Sequence, residues 1–518
     1  MSRQTRSAFR FPAPDTRQLP LLRMIDSFRN LRVTVMGLGS FGGGIGAVRF
    51  LVQSGARVTV TDLREAGELQ ESVAALADTP PAAWHLGGHQ PADFEGADLV
   101  VASPAVPTDN PWLQRARSTG VPITSEIELF WERQRGRVVA VTGSNGKSTT
   151  TKLLHHLLTT VLSQGRQETT RTPSAAPPRV WLGGNIGHSL LPCVDEIAPR
   201  DWVVLELSSF QLENLARLAP TPEVSVVTNF TPNHLDRHHT LDAYRQAKQV
   251  ICRFQTDRHW AIRNLDDREV ATWPTGARTI GFGLVDHACE GLFARGPGTR
   301  SQVSPEVVWR FAGREEVVPL ADWVPLPGRH NLANALAATA AALMCGGQWS
   351  GMETGLRGFV GLPHRLEPVG ELRGVRYYND SKATTPEAAA LALQAFPQTP
   401  LLPLVGGYDK HIDLGPLVSA LHHANLRGVV FLGQTGPELE RRWQAGGARE
   451  SLPSLQATTL AEAVAWCRRM SHPGDVVLLS PGCASHDWFR NYEERGELFR
   501  RLVLSRDDSD AASSAPVP

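Results

Sequence analysis

Three times along this 518-residue chain a short β-branched run ends in a glycine- or serine-rich turn and is followed by a helical pattern. That rhythm predicts parallel α/β domains, because parallel strands buried on both faces need near-continuous apolar runs and a helical crossover between them. The first segment opens with Arg32-Val-Thr-Val-Met-Gly37 and repeats at Arg57–Asp62 and Asp98–Ala102. The second opens with Arg137-Val-Val-Ala-Val-Thr-Gly143 and continues at Trp202–Glu206 and Val224–Asn229. The third holds Val375–Asn379, Leu401–Val405, Val429–Leu432 and Asp475–Ser480. Ligands of such sheets sit at the carboxyl ends of strands, and each of these runs ends in a polar or glycine-rich cluster.

The expected architecture is α/β with three domains: a Rossmann-like N-terminal domain over 31–124, a P-loop ATPase-type central domain with a parallel sheet over 125–361, and a Rossmann-like C-terminal domain over 362–505. Residues 1–30 read as a disordered arm, 506–518 as a disordered tail, and 164–179 (rich in Ser, Thr, Pro and Ala) as a flexible insertion. The chain carries 52 basic and 52 acidic side chains, so it lacks the basic excess of a nucleic-acid binder. No apolar run is long enough to span a bilayer. Six scattered cysteines without a C-x-x-C pair fit a reducing cytosol rather than a disulfide framework or a zinc site.

Only five of the basic residues are lysines: Lys147, Lys152, Lys248, Lys382 and Lys410. Where arginine is the default cation, a retained lysine is a candidate for chemistry that a guanidinium cannot do. Lys147 lies in Gly143-Ser-Asn-Gly146-Lys147-Ser148-Thr149, between a strand and a helix. Phosphate requires backbone N–H donors, close approach, a point cation and a hydroxyl for Mg²⁺; this loop offers all four, although Val141 stands where a strict Walker pattern has glycine. Glu206 ends the next strand, where a carboxylate can serve Mg²⁺. Asn229-Phe-Thr-Pro-Asn-His234 follows another strand, and Lys248 comes soon after. Lys152 reads as a solvated helix residue.

These residues resemble the central domain of the Mur ligases, ADP-forming amide ligases of peptidoglycan synthesis. The resemblance implies ATP and two Mg²⁺ ions, with Ser148, Glu206, His234 and Lys248 as metal ligands and a CO₂-derived carbamate on Lys248. Four further stretches strengthen it: Gly184-Asn-Ile-Gly187, Glu206-Leu-Ser-Ser-Phe-Gln-Leu, Asn379-Asp-Ser-Lys-Ala-Thr384 and Ser480-Pro-Gly-Cys-Ala-Ser485 through Tyr492 to Gly496. The last two resemble the branch of the family that joins D-glutamate to UDP-N-acetylmuramoyl-L-alanine through an acyl phosphate in the cytoplasm. The resemblance runs from about Val33 to Leu504.

Carried over by residue, it implies that Ser144, Asn145, Asn334, Arg365 (with His364) and Asp380 frame the nucleotide. Asn185 contacts the UDP-linked acceptor. Lys382, Thr384, Lys410, Ser485 and Tyr492 surround D-glutamate or the acyl phosphate. Gly37-Leu-Gly39-Ser-Phe-Gly42, with Asp62 twenty residues on, matches a dinucleotide fingerprint and by itself suggests NAD. The resemblance redirects it to the UDP of the acceptor, lined by Ser40, Phe41, Asp62, Leu63 and Arg64, with Ser103–Val106 closing the site. A monomer is expected, with no nucleic-acid partner and no membrane insertion.

Overall fold

The computed structural model describes residues 27–39, 42–168, 178–296, 305–447 and 452–505. Ser40, Phe41, residues 1–26 of the expected arm, 169–177 of the expected insertion and the expected tail lie outside the described residues. The other end of that arm belongs to the fold: Phe28 is buried, edge-on to Phe50 and beneath the Arg133 guanidinium.

Three sheets carry the chain. The first is parallel, with strands β1 (Arg32–Met36), β2 (Arg57–Asp62), β3 (Ala83–Leu86), β4 (Leu99–Ala102) and β5 (Ile123–Thr124) in the order β3-β2-β1-β4-β5. Helix α1 (Gly43–Gln53) follows β1, and α2 (Glu126–Arg133) leads out of the sheet.

The second sheet has nine strands. They are β6 (Arg137–Thr142), β7 (Val180–Gly184), β8 (Trp202–Glu206), β9 (Val224–Val227), β10 (Trp260–Asn264), β11 (Arg278–Gly283), β12 (Gly291–Arg295), β13 (Glu306–Phe311) and β14 (Arg314–Val318). Their order is β14-β13-β12-β11-β10-β9-β6-β8-β7, which puts β6 between β8 and β9. The pairings from β7 to β12 are parallel, and β13–β14 is an antiparallel edge hairpin. Helix α3 (Lys147–Glu168) leaves β6 and continues into the stretch expected as an insertion. Helices α4 (Ser209–Leu215), α5 (Leu241–Arg253) and α6 (Arg329–Met344) complete this part.

The third sheet contains β15 (Glu367–Leu372), β16 (Val375–Asn379), β17 (Leu401–Gly406), β18 (Val429–Leu432), β19 (Ser454–Gln456) and β20 (Val476–Leu479), in the order β15-β16-β20-β17-β18-β19. Only β15 runs antiparallel to its neighbour. Alternate residues of one strand enter opposite cores. Val476 and Leu478 pack with Ala389 and Leu417, whereas Val477 and Leu479 pack with Val464 and Phe499 of α7 (Tyr492–Leu504).

By internal packing the chain divides into two compact units, one of 1–295, 307–318 and 334–355, the other of 296–306, 319–333 and 356–518. The first unit holds the first two sheets on a shared core that runs from Val35 and Leu51 through Ile127 and Leu191 to Leu205 and Tyr244. Among the described residues no helix is long and apolar enough to cross a membrane, and all six cysteines are free.

Candidate active site

The phosphate loop sits at the carboxyl end of β6 and is buttressed by the end of β9. Asn145 N–H donates to Asn229 Oδ1 at 2.8 Å, and its carbonyl accepts from Thr228 Oγ1 at 2.6 Å and Asn229 Nδ2 at 3.0 Å. Ser144 Oγ donates to the Thr231 carbonyl and lies 3.1 Å from the Tyr244 hydroxyl. Gly143 and Gly146 have φ of 149° and 80°. A Cβ at Gly143 would lie 1.9 Å from Thr228 Oγ1, and one at Gly146 2.3 Å from Asn334 Oδ1, so both conformation and space demand glycine. Lys147 Nζ donates to the Gly143 and Ser144 carbonyls, each at 2.9 Å, which holds its charge over the loop. Asn334, expected near the nucleotide, accepts from Thr150 Oγ1 at 3.3 Å on the first turn of α3.

Adjacent strands bring the metal candidates to the same end of the sheet. Glu206 is opposite Val141 in the β6–β8 register and opposite Gly184 in the β7–β8 register. Its Oε1 accepts from Asn185 Nδ2 at 2.9 Å; its Oε2 is buried and has no hydrogen-bond partner. A buried carboxylate oxygen without a donor is costly unless a cation meets it, so this atom fits a metal ligand. Among the described residues no group of three or more His, Cys, Asp or Glu is placed to hold a metal. The Ser148 hydroxyl is half-buried on the first turn of α3.

Lys248 is the chemically unusual member. It is 1% exposed on α5, donates to the Gly143 carbonyl at 2.7 Å and lies 4.9 Å from the Tyr244 ring centre. Burial, and then the nearby Lys147 charge, hold its ammonium well below the usual lysine range, while Glu206 opposes the shift. A neutral amine is the form that reacts with CO₂. His234, in the left-handed region at φ 53°, caps the turn Leu235–His238 and packs edge-on against Phe210. Burial and the two lysines hold its imidazole neutral, as a metal ligand requires.

Within the same unit a cavity of about 610 Å³ is lined by Gly37, Gly39, Gly43, Asp62, Leu63, Arg64, Ser103, Val106, Asn185 and His234, among others. It joins the dinucleotide-type turn after β1 to Asn185 and His234 at the ends of the second sheet. Burial raises the Asp62 carboxyl, but hydrogen bonds from Arg64 and from the Arg64 and Leu38 N–H groups outweigh it and hold the group ionised. Leu63 is 68% exposed, on a rim where an apolar side chain is accessible to a ligand.

In the second unit three neighbouring strands β16, β20 and β17 end at one edge. They carry Asn379–Thr384, Ser480–Ser485 and Gly406–Lys410. Asp380 Oδ2 accepts from Ser480 Oγ at 2.7 Å and its Oδ1 from Leu366 N–H, while burial pushes the carboxyl up to about 7. His364 Nδ1 lies 2.9 Å from Asn379 Nδ2. Lys382 Nζ stands 5.1 Å from the Tyr492 ring centre, Ser485 is buried, and Lys410 is exposed. Here sequence reasoning missed Arg495. This arginine is 2% exposed and donates to Ser381 Oγ and to the carbonyls of Ser381, Cys483 and Ala484, so it ties two of the three strand-end loops together. It lies inside a quoted motif, and only its position three residues past Tyr492 on α7 hinted that it could face these loops. Glu126 was missed too; nothing in its sequence context separates it from an ordinary acidic residue at a helix start.

Comparison with known proteins is consistent along most of the chain. Residues 31–125 match the Mur ligase MurD-like N-terminal domain, 141–342 the Mur ligase middle domain and 364–483 the Mur ligase glutamate ligase domain. The chain is 39% identical over 478 residues to a UDP-N-acetylmuramoylalanine--D-glutamate ligase of Symbiobacterium thermophilum, covering 91% of this chain and 97% of that protein. In fold it is similar to a UDP-N-acetylmuramate-alanine ligase of Thermotoga maritima, with a TM-score of 0.56 at 21% identity over 91% of this chain and 98% of that one. It is also similar to a MurF ligase of Thermotoga maritima in complex with ADP, with a TM-score of 0.52 at 17% identity over 92% and 96% of the two chains.

Proposed function

This chain belongs to the Mur ligase family, and on that premise we propose that it joins D-glutamate to UDP-N-acetylmuramoyl-L-alanine in peptidoglycan-precursor synthesis. It is an ATP-dependent, ADP-forming ligase. The observation that carries the reading is the pairing of a glycine-built phosphate loop with the partnerless Glu206 Oε2 on the adjacent strand, in a chain 39% identical to such a ligase over nearly its full length.

The reaction follows from the groups present. The alanyl carboxylate of the acceptor attacks the γ-phosphorus of ATP; the bond from that phosphorus to the ADP oxygen breaks, leaving an acyl phosphate and ADP. The D-glutamate amine then attacks the acyl carbon, the carbon–phosphate oxygen bond breaks, and the amine proton passes to solvent. Catalysis of this kind is positioning and charge neutralisation. Lys147 and the loop N–H groups hold the phosphates; Ser144, Asn145, Thr149, Asn334, Arg365 and Asp380 frame the nucleotide. Ser148, Glu206, His234 and a carbamate on Lys248 would hold two Mg²⁺ ions, which when bound neutralise phosphate charge. The carbamate arises when neutral Nζ attacks the carbon of CO₂ and loses its proton; burial of Lys248 supports this, because it keeps the amine neutral.

The cavity against β1 takes the UDP-linked acceptor, with Asp62, Leu63, Arg64 and Asn185 in contact with it; Ser40 and Phe41, which lie outside the described residues, are assigned to the same ligand. Lys382, Thr384, Lys410, Ser485 and Tyr492 take D-glutamate, a dicarboxylate that calls for cations and hydroxyl donors. The proposed enzyme is a monomer. Nucleotide substrates and six free cysteines support a cytoplasmic site. Hydroxylamine trapping tests the intermediate: ATP and acceptor without D-glutamate are expected to yield a hydroxamate, and its absence while ligation proceeds would exclude the acyl phosphate.

A further inference from the structure

Glu126 opens α2 and forms part of the wall of the 610 Å³ cavity assigned above to the acceptor. It is 8% exposed, and its Oε1 accepts a hydrogen bond from Ser189 Oγ, in the loop after β7. Its other oxygen faces the start of α1, where a Cβ at Gly43 would lie 3.9 Å from Oε2. That helix start, with Gly39 and Gly43 along the same wall, is where N–H groups and the positive end of the helix dipole meet the diphosphate of a nucleotide-linked ligand. An ionised carboxylate there would repel the phosphates it adjoins. A protonated one would instead offer them an O–H donor.

The surroundings give Glu126 no cation to lean on. The elements packed on α2 are α1, α4 and the turn Leu191–Glu196, whose titratable side chains are Arg49, Glu213, Cys193, Asp195 and Glu196. Glu128, Glu132 and Arg133 share its own helix, and Asp62, Arg64, His89 and His234 line the same cavity. Arg64 is committed to Asp62 and Arg49 lies near Asp78. Burial is the dominant influence on the Glu126 carboxyl and lifts it to about 7, against a smaller opposing effect of the Ser189 hydroxyl.

We propose that Glu126 is a proton-bearing contact of the acceptor site: it must be uncharged for the diphosphate to seat at the start of α1, so binding of the acceptor takes up a proton. The inference rests on the assignment of this cavity to the UDP-linked acceptor. The acceptor has no group of its own that titrates near neutrality, because both phosphates are esterified and its carboxylate is fully ionised.

The test is calorimetric titration of the full-length protein with UDP-N-acetylmuramoyl-L-alanine at pH 6 and pH 8, in phosphate and in Tris, whose ionisation enthalpies differ. The wild type is expected to take up close to one proton at pH 8 and little at pH 6. Its Kd should weaken about tenfold across that range, as one obligatory proton with a midpoint near 7 requires. Glu126→Gln, which fixes the uncharged form, should abolish both the uptake and the pH dependence. Uptake that persists in Glu126→Gln, or is absent from the wild type, overturns the proposal. Acceptor that fails to bind at any pH overturns the functional reading beneath it. Ser189→Ala is a second variant: it removes the hydroxyl that favours the ionised form, so the midpoint should move upward, and an unmoved midpoint counts against the proposal.

Discussion

Lys248 shows how far one residue's chemistry can be read before its surroundings are known. Its scarcity as a lysine in an arginine-rich chain marked it as unusual, and the resemblance supplied a role. Burial to 1% exposure, the hydrogen bond to the Gly143 carbonyl and the depressed ammonium depend on how α5 packs beneath β6, which no local pattern encodes. Lys248→Arg keeps a cation but removes the carbamate-forming amine, and the larger guanidinium must also be accommodated in a packed site. Ligation is expected to fall by at least about 10²–10³-fold, the size of losses when a charge-stabilising group is deleted. In Lys248→Ala, small carboxylates such as acetate should restore part of the rate. Near wild-type turnover in Lys248→Arg would exclude the carbamate. Glu126 is the opposite case: its identity is plain, but its meaning arises from a cavity built by widely separated stretches of the chain.

Among the elements, strand ends were the most legible feature and the links between them the least. Continuous apolar runs such as Val138–Val141 and Val476–Leu479 identify buried parallel strands directly, and all are found. The edge hairpin β13–β14 escaped notice because four of the five residues of Arg314–Val318 are exposed, as suits an outer strand that must not attract further pairing. Arg495 acts at this scale. It fixes the loops after β16 and β20 with a planar fork that lysine lacks, and among the described residues its hydrogen-bond partners are a hydroxyl and backbone carbonyls. If those loops form the amino-acid site, Arg495→Lys should raise the KM for D-glutamate by about 10–100-fold, equivalent to about one charge-assisted hydrogen bond. The KM for ATP should rise less than that for D-glutamate, since Asp380 neighbours Ser381 but the phosphate loop itself is untouched. Steady-state kinetics with each substrate varied distinguishes this from general loss of structure, which would lower kcat and the active fraction without selecting D-glutamate.

For the whole molecule, the three-segment rhythm corresponds to three sheets, but the first two share one continuous core and form a single compact unit. A repeated strand–turn–helix pattern reports sheets; it does not report which sheets bury surface against each other, because that depends on residues such as Ile127 and Leu191 that belong to neither sheet. The shared core also explains why one cavity draws residues from both sheets. Its Gly37–Asp62 side matched a dinucleotide fingerprint, and its other side, at Asn185 and His234, belongs to the elements around the phosphate loop.

The central claim is the identity of the bond that is made. ADP release by the full-length protein should be measured with ATP, Mg²⁺ and UDP-N-acetylmuramoyl-L-alanine, with D-glutamate, L-glutamate, L-alanine, glycine or L-lysine supplied in turn. Release that requires both the acceptor and D-glutamate, with one amide formed per ADP, is the predicted result. Equal or faster release with another amino acid, or no dependence on D-glutamate, would contradict it.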